Sequence, residues 1–285
     1  MMWLKSVLFI GGFIAVALFC KKQTDGFRID KISSSLTFHP EWEVGAQDLA
    51  EVKEVLDQPF SYLGKGAQAF VFASQDGRYV IKFFRYDHMG EAPFLKKLPF
   101  ERVQRRVVRL RAKLCQDFTS YKLAYDEMKE ETGLVYLHLN KTDRLKQKIE
   151  LIDKLGISHF LSLDELEFVV QKRAEPFYPA LQKLMNEGKE KEAEELLSRL
   201  VALIVTRCQK EIFDKDPDLF TNFGVMSGRP IQIDPGRFKK DASESNPQKY
   251  KGEIIRITDK LHLRLEKEYK TLDKELQRLV HEIPT

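Results

Sequence analysis

Short apolar runs broken by glycine mark the early part of the chain, and longer apolar stripes at helical spacing mark the rest. Phe60–Leu63, Ala69–Ser74 and Tyr79–Phe84 have strand length and strand composition, punctuated by Gly64, Gly66 and Gly77. Three strands are predicted, with Asp76-Gly77 as the turn between the last two, since this dipeptide readily takes the positive φ that tight hairpins need. Val103, Val107, Leu110, Leu114, Phe118, Tyr121, Tyr125 and Met128 then recur at steps of three or four, which places them on one stripe of a long helix. Gly133 stops that helix. Leu134–Leu139, Lys148–Leu155 and Phe168–Gln171 read as further strands, and Pro179–Asn186 and Glu190–Lys210 as helices. The second of these helices is apolar on most sides and should be deeply buried. Phe223–Val225 and Ile231–Ile233 form a small hairpin across Ser227-Gly228, and Lys251–Glu282 forms one final amphipathic helix. That helix is expected to dock on its own domain, with a partner-binding seam as the alternative. Strands followed mostly by helices define an α+β protein rather than alternating βαβ units.

The amino terminus follows a different pattern. Val7–Cys20 is an uncharged apolar run of 14 residues, preceded by Lys5 and followed by Lys21-Lys22. With Trp3 and Leu4, residues 3–20 approach the ~20 needed to span a bilayer. The expectation is a membrane anchor over residues 1–22; a cleaved signal peptide with Ala15-Val16-Ala17 at its cleavage site is the alternative. Lys21, Lys22, Arg28 and Lys31 outweigh Lys5, so an anchored protein would keep its folded part in the cytoplasm, and a cleaved one would be exported. Residues 23–58 read as a linker holding a short helix over Ala46–Leu56. The folded part then divides into a β-rich lobe, 59–171, and a helical lobe, 172–285.

Composition narrows the function. Of 285 residues, 47 are Lys or Arg and 43 are Asp or Glu, a net charge of +4. No basic excess favours nucleic acid as a partner, although Arg102, Arg105, Arg106, Arg109 and Lys113 share a helix side that could meet either solvent or anionic lipid headgroups. Three cysteines, Cys20, Cys115 and Cys208, cannot build a disulfide framework, and no zinc-type spacing is present.

Two stretches carry chemistry. Gly64-Lys65-Gly66-Ala67-Gln68-Ala69-Phe70-Val71 sits between two predicted strands, and glycines there let backbone N–H groups approach an anion. A dinucleotide fingerprint would continue as helix, whereas this chain continues as strand. Lys82 follows in the apolar run Val80-Ile81-Lys82, where an inward ammonium needs an anionic partner. Much later come Asp214, Asp216, Asn222 and, across the small hairpin, Asp234-Pro235-Gly236.

In this order the residues resemble the protein-kinase-like superfamily, with its Gly-rich hairpin, strand lysine, catalytic-loop Asp and Asn, and Asp-x-Gly. The resemblance covers about residues 60–238 and implies a two-lobed fold with a small β-rich N-lobe, one long helix and a reduced helical C-lobe. It further implies ATP under Gly64, Gly66, Gln68 and Val71, with Lys82 on its phosphates and Asp117 of the long helix pairing Lys82. The backbone of 168–173 would meet the adenine. Mg2+ would be held by Asn222 and Asp234, and Asp216 or Asp214 would serve as the acid that accepts a hydroxyl proton. The chain departs from the family at several points: His-Arg-Asp is absent, Pro235 replaces the usual Phe, no Ala-Pro-Glu follows, and 51 residues remain after Asp234. The expected activity is a membrane-associated, ATP-dependent phosphotransferase. A nucleotide-binding pseudokinase and a non-enzymatic membrane-anchored interaction protein are the alternatives.

Overall fold

The computed structural model describes residues 2–45, 49–88 and 100–283, with side chains described from Phe9 onward. In chain order the elements are α1 (Met2–Gln23), α2 (Leu49–Leu56), β1 (Phe60–Lys65), β2 (Ala69–Ser74), β3 (Tyr79–Phe84), α3 (Glu101–Glu127), α4 (Lys129–Thr132) and β4 (Leu134–His138). They continue as β5 (Lys148–Ile152), β6 (Ser158–Ser162), β7 (Phe168–Lys172), β8 (Glu175–Pro176), α5 (Phe177–Asn186), α6 (Glu190–Gln209) and β9 (Ile212–Asp214). The last are α7 (Leu219–Asn222), β10 (Phe223–Met226), β11 (Arg229–Gln232), β12 (Phe238–Lys240), α8 (Pro247–Glu268) and α9 (Lys270–His281). The protein is α+β and divides into two units, one of Met1–Leu114 with Tyr136–Val170, the other of Cys115–Val135 with Gln171–Thr285.

The first unit is organised by a seven-stranded sheet of order β4-β7-β3-β2-β1-β5-β6. β1, β2 and β3 form an antiparallel meander, and β5 joins β1 in parallel. The strand expected over Lys148–Leu155 ends at Ile152, because the Asp153 carboxylate accepts the N–H groups of Leu155 and Ile157 and turns the chain at Gly156, φ +81°. The chain returns as β6, which its mixed composition did not announce.

Phe27, Ile32, Trp42, Val44, Val52 and Leu56 are buried, so residues 23–58, expected as a linker, contribute to the core of this unit. Phe27 packs edge-on against Phe70 and Phe72, with ring centroids 5.3 and 5.2 Å apart. Asn140 clamps the backbone of His39 from both sides, accepting from its N–H at 2.8 Å and donating to its carbonyl at 2.9 Å. Phe27, Ile32, Trp42 and Val44 are isolated rather than periodic, which is why no element pattern revealed them, whereas Val52 and Leu56 belong to the expected short helix. The short helix begins at Leu49, and Ala46–Asp48 at its expected start lie outside the described residues.

The described side chains of α1 are exposed, including Phe9, Phe13 and Phe19. At ~1.5 Å per residue, the uncharged apolar run from Val7 to Cys20 covers about 21 Å of α1, against ~30 Å of bilayer hydrocarbon. Among the described residues, no helix is long and apolar enough to cross a membrane.

The second unit is built around α6, whose Leu196, Leu197, Leu200, Val201 and Ile204 are buried. It packs against α5, β11, α8 and α9. Arg207 near its end is 1% exposed and is met by three polar partners: Gln232 Oε1 at 2.9 Å, Glu253 Oε1 at 2.5 Å and Asp214 Oδ2 at 3.6 Å. Gly224 in β10 is required by crowding, since a Cβ there would lie 2.8 Å from Ala174 Cβ and 2.9 Å from the Glu175 carbonyl oxygen.

The final helix is two helices rather than one. Tyr269 adopts φ −144°, ψ 75°, and the chain folds back so that His262 Nδ1 lies 2.5 Å from Asp273 Oδ1. Residues eleven positions apart in one straight helix would be separated by ~16 Å. Apolar spacing through Leu265, Tyr269, Leu272 and Leu276 runs unbroken across the bend, so the pattern alone conceals it.

Arg207→Ala should cost about 3–5 kcal/mol in urea unfolding, because it leaves Asp214 and Glu253 buried without their shared cation. A second expectation concerns Glu167, which is 1% exposed and accepts the hydroxyls of Ser34 at 2.6 Å and Tyr86 at 2.8 Å. Burial raises its pKa. A carboxyl with a folded-state pKa above its unfolded value contributes stability that is full below the unfolded value and lost as pH rises through the folded one. Across that window, Tm of the wild type should fall relative to Glu167→Gln; parallel Tm profiles would remove Glu167 as the titrating group.

Candidate active site

In the first unit, strand register sets the candidate nucleotide residues in a row. Gly64 pairs with Val71, and Val71 pairs with Lys82, so all three stand on one face of the β1-β2-β3 meander. Phe70, Phe72, Ile81 and Phe83 occupy the opposite, buried face. Lys82 is half-buried. The β1–β2 turn is closed by Gly66 N–H donating to the Ala69 carbonyl at 2.8 Å, and Arg85 holds the Gly66 carbonyl at 3.0 Å. A Cβ at Gly64 would meet nothing within 4 Å, so space is open beside the hairpin backbone. Gln68 Oε1 is buried in this turn with no hydrogen-bond partner among the described residues.

The second unit brings the other candidates together. β9 ends at Asp214, a loop carries Asp216 to α7, and α7 ends at Asn222 as β10 begins. The backbone carbonyl of Asn222 accepts from Ile233 N–H at 2.8 Å and from Asp234 N–H at 3.4 Å, which sets Asn222 beside Asp234. Asn222 Nδ2 donates to the Asp216 carbonyl at 2.5 Å. That bond fixes the amide so that its oxygen faces the other way, where it accepts from Thr221 Oγ1 at 2.9 Å.

Asp214 and Asp216 have different environments. Asp214 is fully buried, accepts from Asp216 N–H at 2.9 Å and from Gln232 Nε2, and lies beside Arg207. Burial raises its pKa against the pull of Arg207. Its work is to hold the loop. Asp216 is exposed. Asp218, next in the loop, caps α7 through Phe220 N–H at 3.0 Å, and Lys260 at 2.6 Å lowers its pKa.

The Asp234-Pro235-Gly236-Arg237 turn is gripped by successive residues of α3. Ser120 Oγ donates to the Pro235 carbonyl, and the Tyr121 hydroxyl donates to Asp234 Oδ1 at 3.4 Å. Arg237 Nη1 lies 3.5 Å from Asp117 Oδ1, and Asp117 is completely buried. Asp117, expected opposite Lys82, thus has Arg237 as a partner within its own unit. Burial and the neighbouring charges of Asp234 and Asp117 hold the Tyr121 pKa well above the ordinary phenol value, so its hydroxyl remains a donor. Gly236 N–H donates to the same Asp234 oxygen at 3.2 Å. Both of these bonds are to Asp234 Oδ1. Sequence reasoning missed Ser120, Tyr121 and Arg237. Tyr121 was read as part of the packing stripe, and nothing in its spacing distinguishes a phenol that also donates.

The Asp234 carboxylate and Asn222 amide oxygen suit a hard cation such as Mg2+, which takes one or two protein oxygens and completes its shell with phosphate and water. Among the described residues, no group of three or more His, Cys, Asp and Glu forms an all-protein metal cluster.

No protein-family model and no curated protein matches the chain. Among solved structures it is similar to WbdD in complex with the kinase inhibitor LY294002, at 14% identity and TM-score 0.36, covering 78% of this chain and 45% of that one. The bifunctional kinase-methyltransferase WbdD also matches, at 14% identity and TM-score 0.33, over 76% of this chain and 43% of that one. Rv3197 from Mycobacterium tuberculosis, in complex with erythromycin, matches at 13% identity and TM-score 0.33, over 96% of this chain and 74% of that one. The chain spans less than half the length of WbdD. At these scores the likenesses carry no functional argument.

Ser120→Ala would leave the buried Pro235 carbonyl with the Phe238 N–H, at 3.2 Å, as its remaining donor, at a cost of about 0.5–1.5 kcal/mol. Hydrogen exchange should report it as faster exchange at Gly236, with the β1–β3 amides unchanged; unchanged exchange at Gly236 would show that Ser120 does not hold the turn.

Proposed function

We propose that the protein is a kinase-like phosphotransferase that moves the γ-phosphoryl group of ATP to a hydroxyl acceptor. The observation that supports this most is the meeting of Asp216, Asn222 and Asp234 in one folded segment, with the loop acid exposed and both oxygen ligands held by backbone hydrogen bonds. In the first unit, the open space beside Gly64 would admit phosphate close to the hairpin backbone, Val71 would supply an apolar wall, and the Lys82 ammonium would neutralise phosphate oxygens. Gln68 would direct its unmatched oxygen toward a donor on the nucleotide. In the second unit, Asn222 and Asp234 would hold Mg2+, which when bound shields the phosphate charge. Asp216 would accept the proton of the acceptor hydroxyl as its oxygen bonds to phosphorus and the bond to ADP breaks. Asp214 positions Asp216 by taking its backbone N–H.

Membrane association forms part of the same reading. Its support is the exposed apolar length of α1, with Phe9 77% and Phe13 69% exposed, followed by Lys21 and Lys22. An amphiphilic segment of this kind is taken up by lipid with its lysines at the headgroups.

The test is thermal stabilisation of the full-length protein by Mg·ATP, followed by phosphoryl transfer. A stabilisation of ~2.7 kcal/mol is expected at a ligand concentration 100-fold above Kd. Lys82→Ala and Asp234→Ala should remove it. Asp216→Asn should keep nucleotide binding while slowing transfer by about 10²- to 10⁴-fold. Binding without transfer would make the protein a nucleotide-binding module, and no stabilisation by Mg·ATP would overturn the reading altogether.

A further inference from the structure

The fold-back at Tyr269 creates a feature that phosphoryl transfer does not use. α8 and α9 run antiparallel after the bend, and a cavity of about 280 Å3 lies between them. This is close to the ~300 Å3 at which small-molecule pockets begin. Its walls are Ile255 and Thr258 from α8 and Leu276 and Val280 from α9. Leu276 and Thr258 are buried, whereas Ile255 is 48% exposed. Apolar surface left open in this way is available to a ligand.

The polar groups are unevenly placed along the cleft. His262 opposes Asp273 near the bend, with Asp259 and Gln277 close by in sequence and also lining the cavity. Lys251 and His281 lie at the opposite end of the hairpin, at the start of α8 and the close of α9. Neither has a hydrogen-bond or ion-pair partner among the described residues. The cleft thus has an apolar middle, the Lys251 ammonium and the His281 imidazole at its mouth, and its one lining carboxylate, Asp259, eight residues along α8 from Lys251.

We propose that this cleft binds a medium-chain carboxylate, its alkyl chain along Ile255, Leu276 and Val280 and its carboxylate at Lys251 and His281. Charge complementarity selects the anionic head, because a cationic amphiphile would set like charges together at the mouth. The volume selects a chain near ten carbons over a diacyl lipid. The site is independent of the nucleotide reading.

Isothermal titration of the full-length protein with decanoate, below its micelle concentration, tests this against decyltrimethylammonium of equal chain length. Decanoate should bind at least tenfold more tightly than the ammonium compound. Ile255→Glu should weaken decanoate at least tenfold, and Lys251→Glu should abolish the preference for the anion. Ile255 is largely exposed and Lys251 half-exposed, so both variants should keep the wild-type Tm. Equal binding of both amphiphiles, or unchanged decanoate binding by Ile255→Glu, would overturn the proposal. The second result is what adsorption on the exposed side chains of α1 would give.

Discussion

The buried guanidinium of Arg207 is the constraint on which the second unit depends. It sits on α6 and reaches β9 through Asp214, β11 through Gln232 and α8 through Glu253. Removing these charges from water is expensive, and only dense mutual pairing offsets it. Arg256 adds to the pairing, donating to Glu253 and to the Asp214 carbonyl at 2.7 Å. The return is positional. Arg207, the Gln232 amide and the Asp216 N–H together partner the buried Asp214 carboxylate, and that carboxylate in turn fixes the backbone of Asp216. The geometry of the exposed loop is thereby tied to a cation hidden in the helical core.

A second support comes from α3. Its residues 117, 120 and 121 lie on one helical face and each touches a different part of the Asp234–Arg237 turn. The turn, with Pro235 in it, is thus anchored by hydrogen bonds to its carbonyl and carboxylate.

Much of this was legible in the sequence, for identifiable reasons. Gly77 adopts positive φ, so the punctuation that predicted the β2–β3 turn has a direct steric cause; Gly133, expected to stop the long helix, instead caps the short α4, since α3 already ends at Glu127. Strands of the meander alternate strongly enough that Val71 and Lys82 could be placed on β2 and β3. Asp216, Asn222 and Asp234 are close in sequence, and the short loop and hairpin that join them could be read from the chain, whereas the hold of α3 on the Asp234 turn could not. The remainder depended on long-range partners. Arg207 looks like an ordinary charged residue in an apolar helix, since its three partners lie 7, 25 and 46 positions away. Trp42 and Phe27 lie in a stretch with no period, and Tyr269 bends a helix whose apolar spacing never falters.

The packing of Phe27 also bears on how the protein meets its surroundings. α1 ends at Gln23, and by Phe27 the chain is already seated against the aromatic face of β2, with Lys65 and Lys154 holding Asp25 on the way. Three intervening residues can span at most about 10 Å. This is a stem and not a tether. A long linker would leave the first unit free to turn independently of α1. A short stem fixes its attitude instead, so any surface on which α1 came to rest would also decide which way the meander faces.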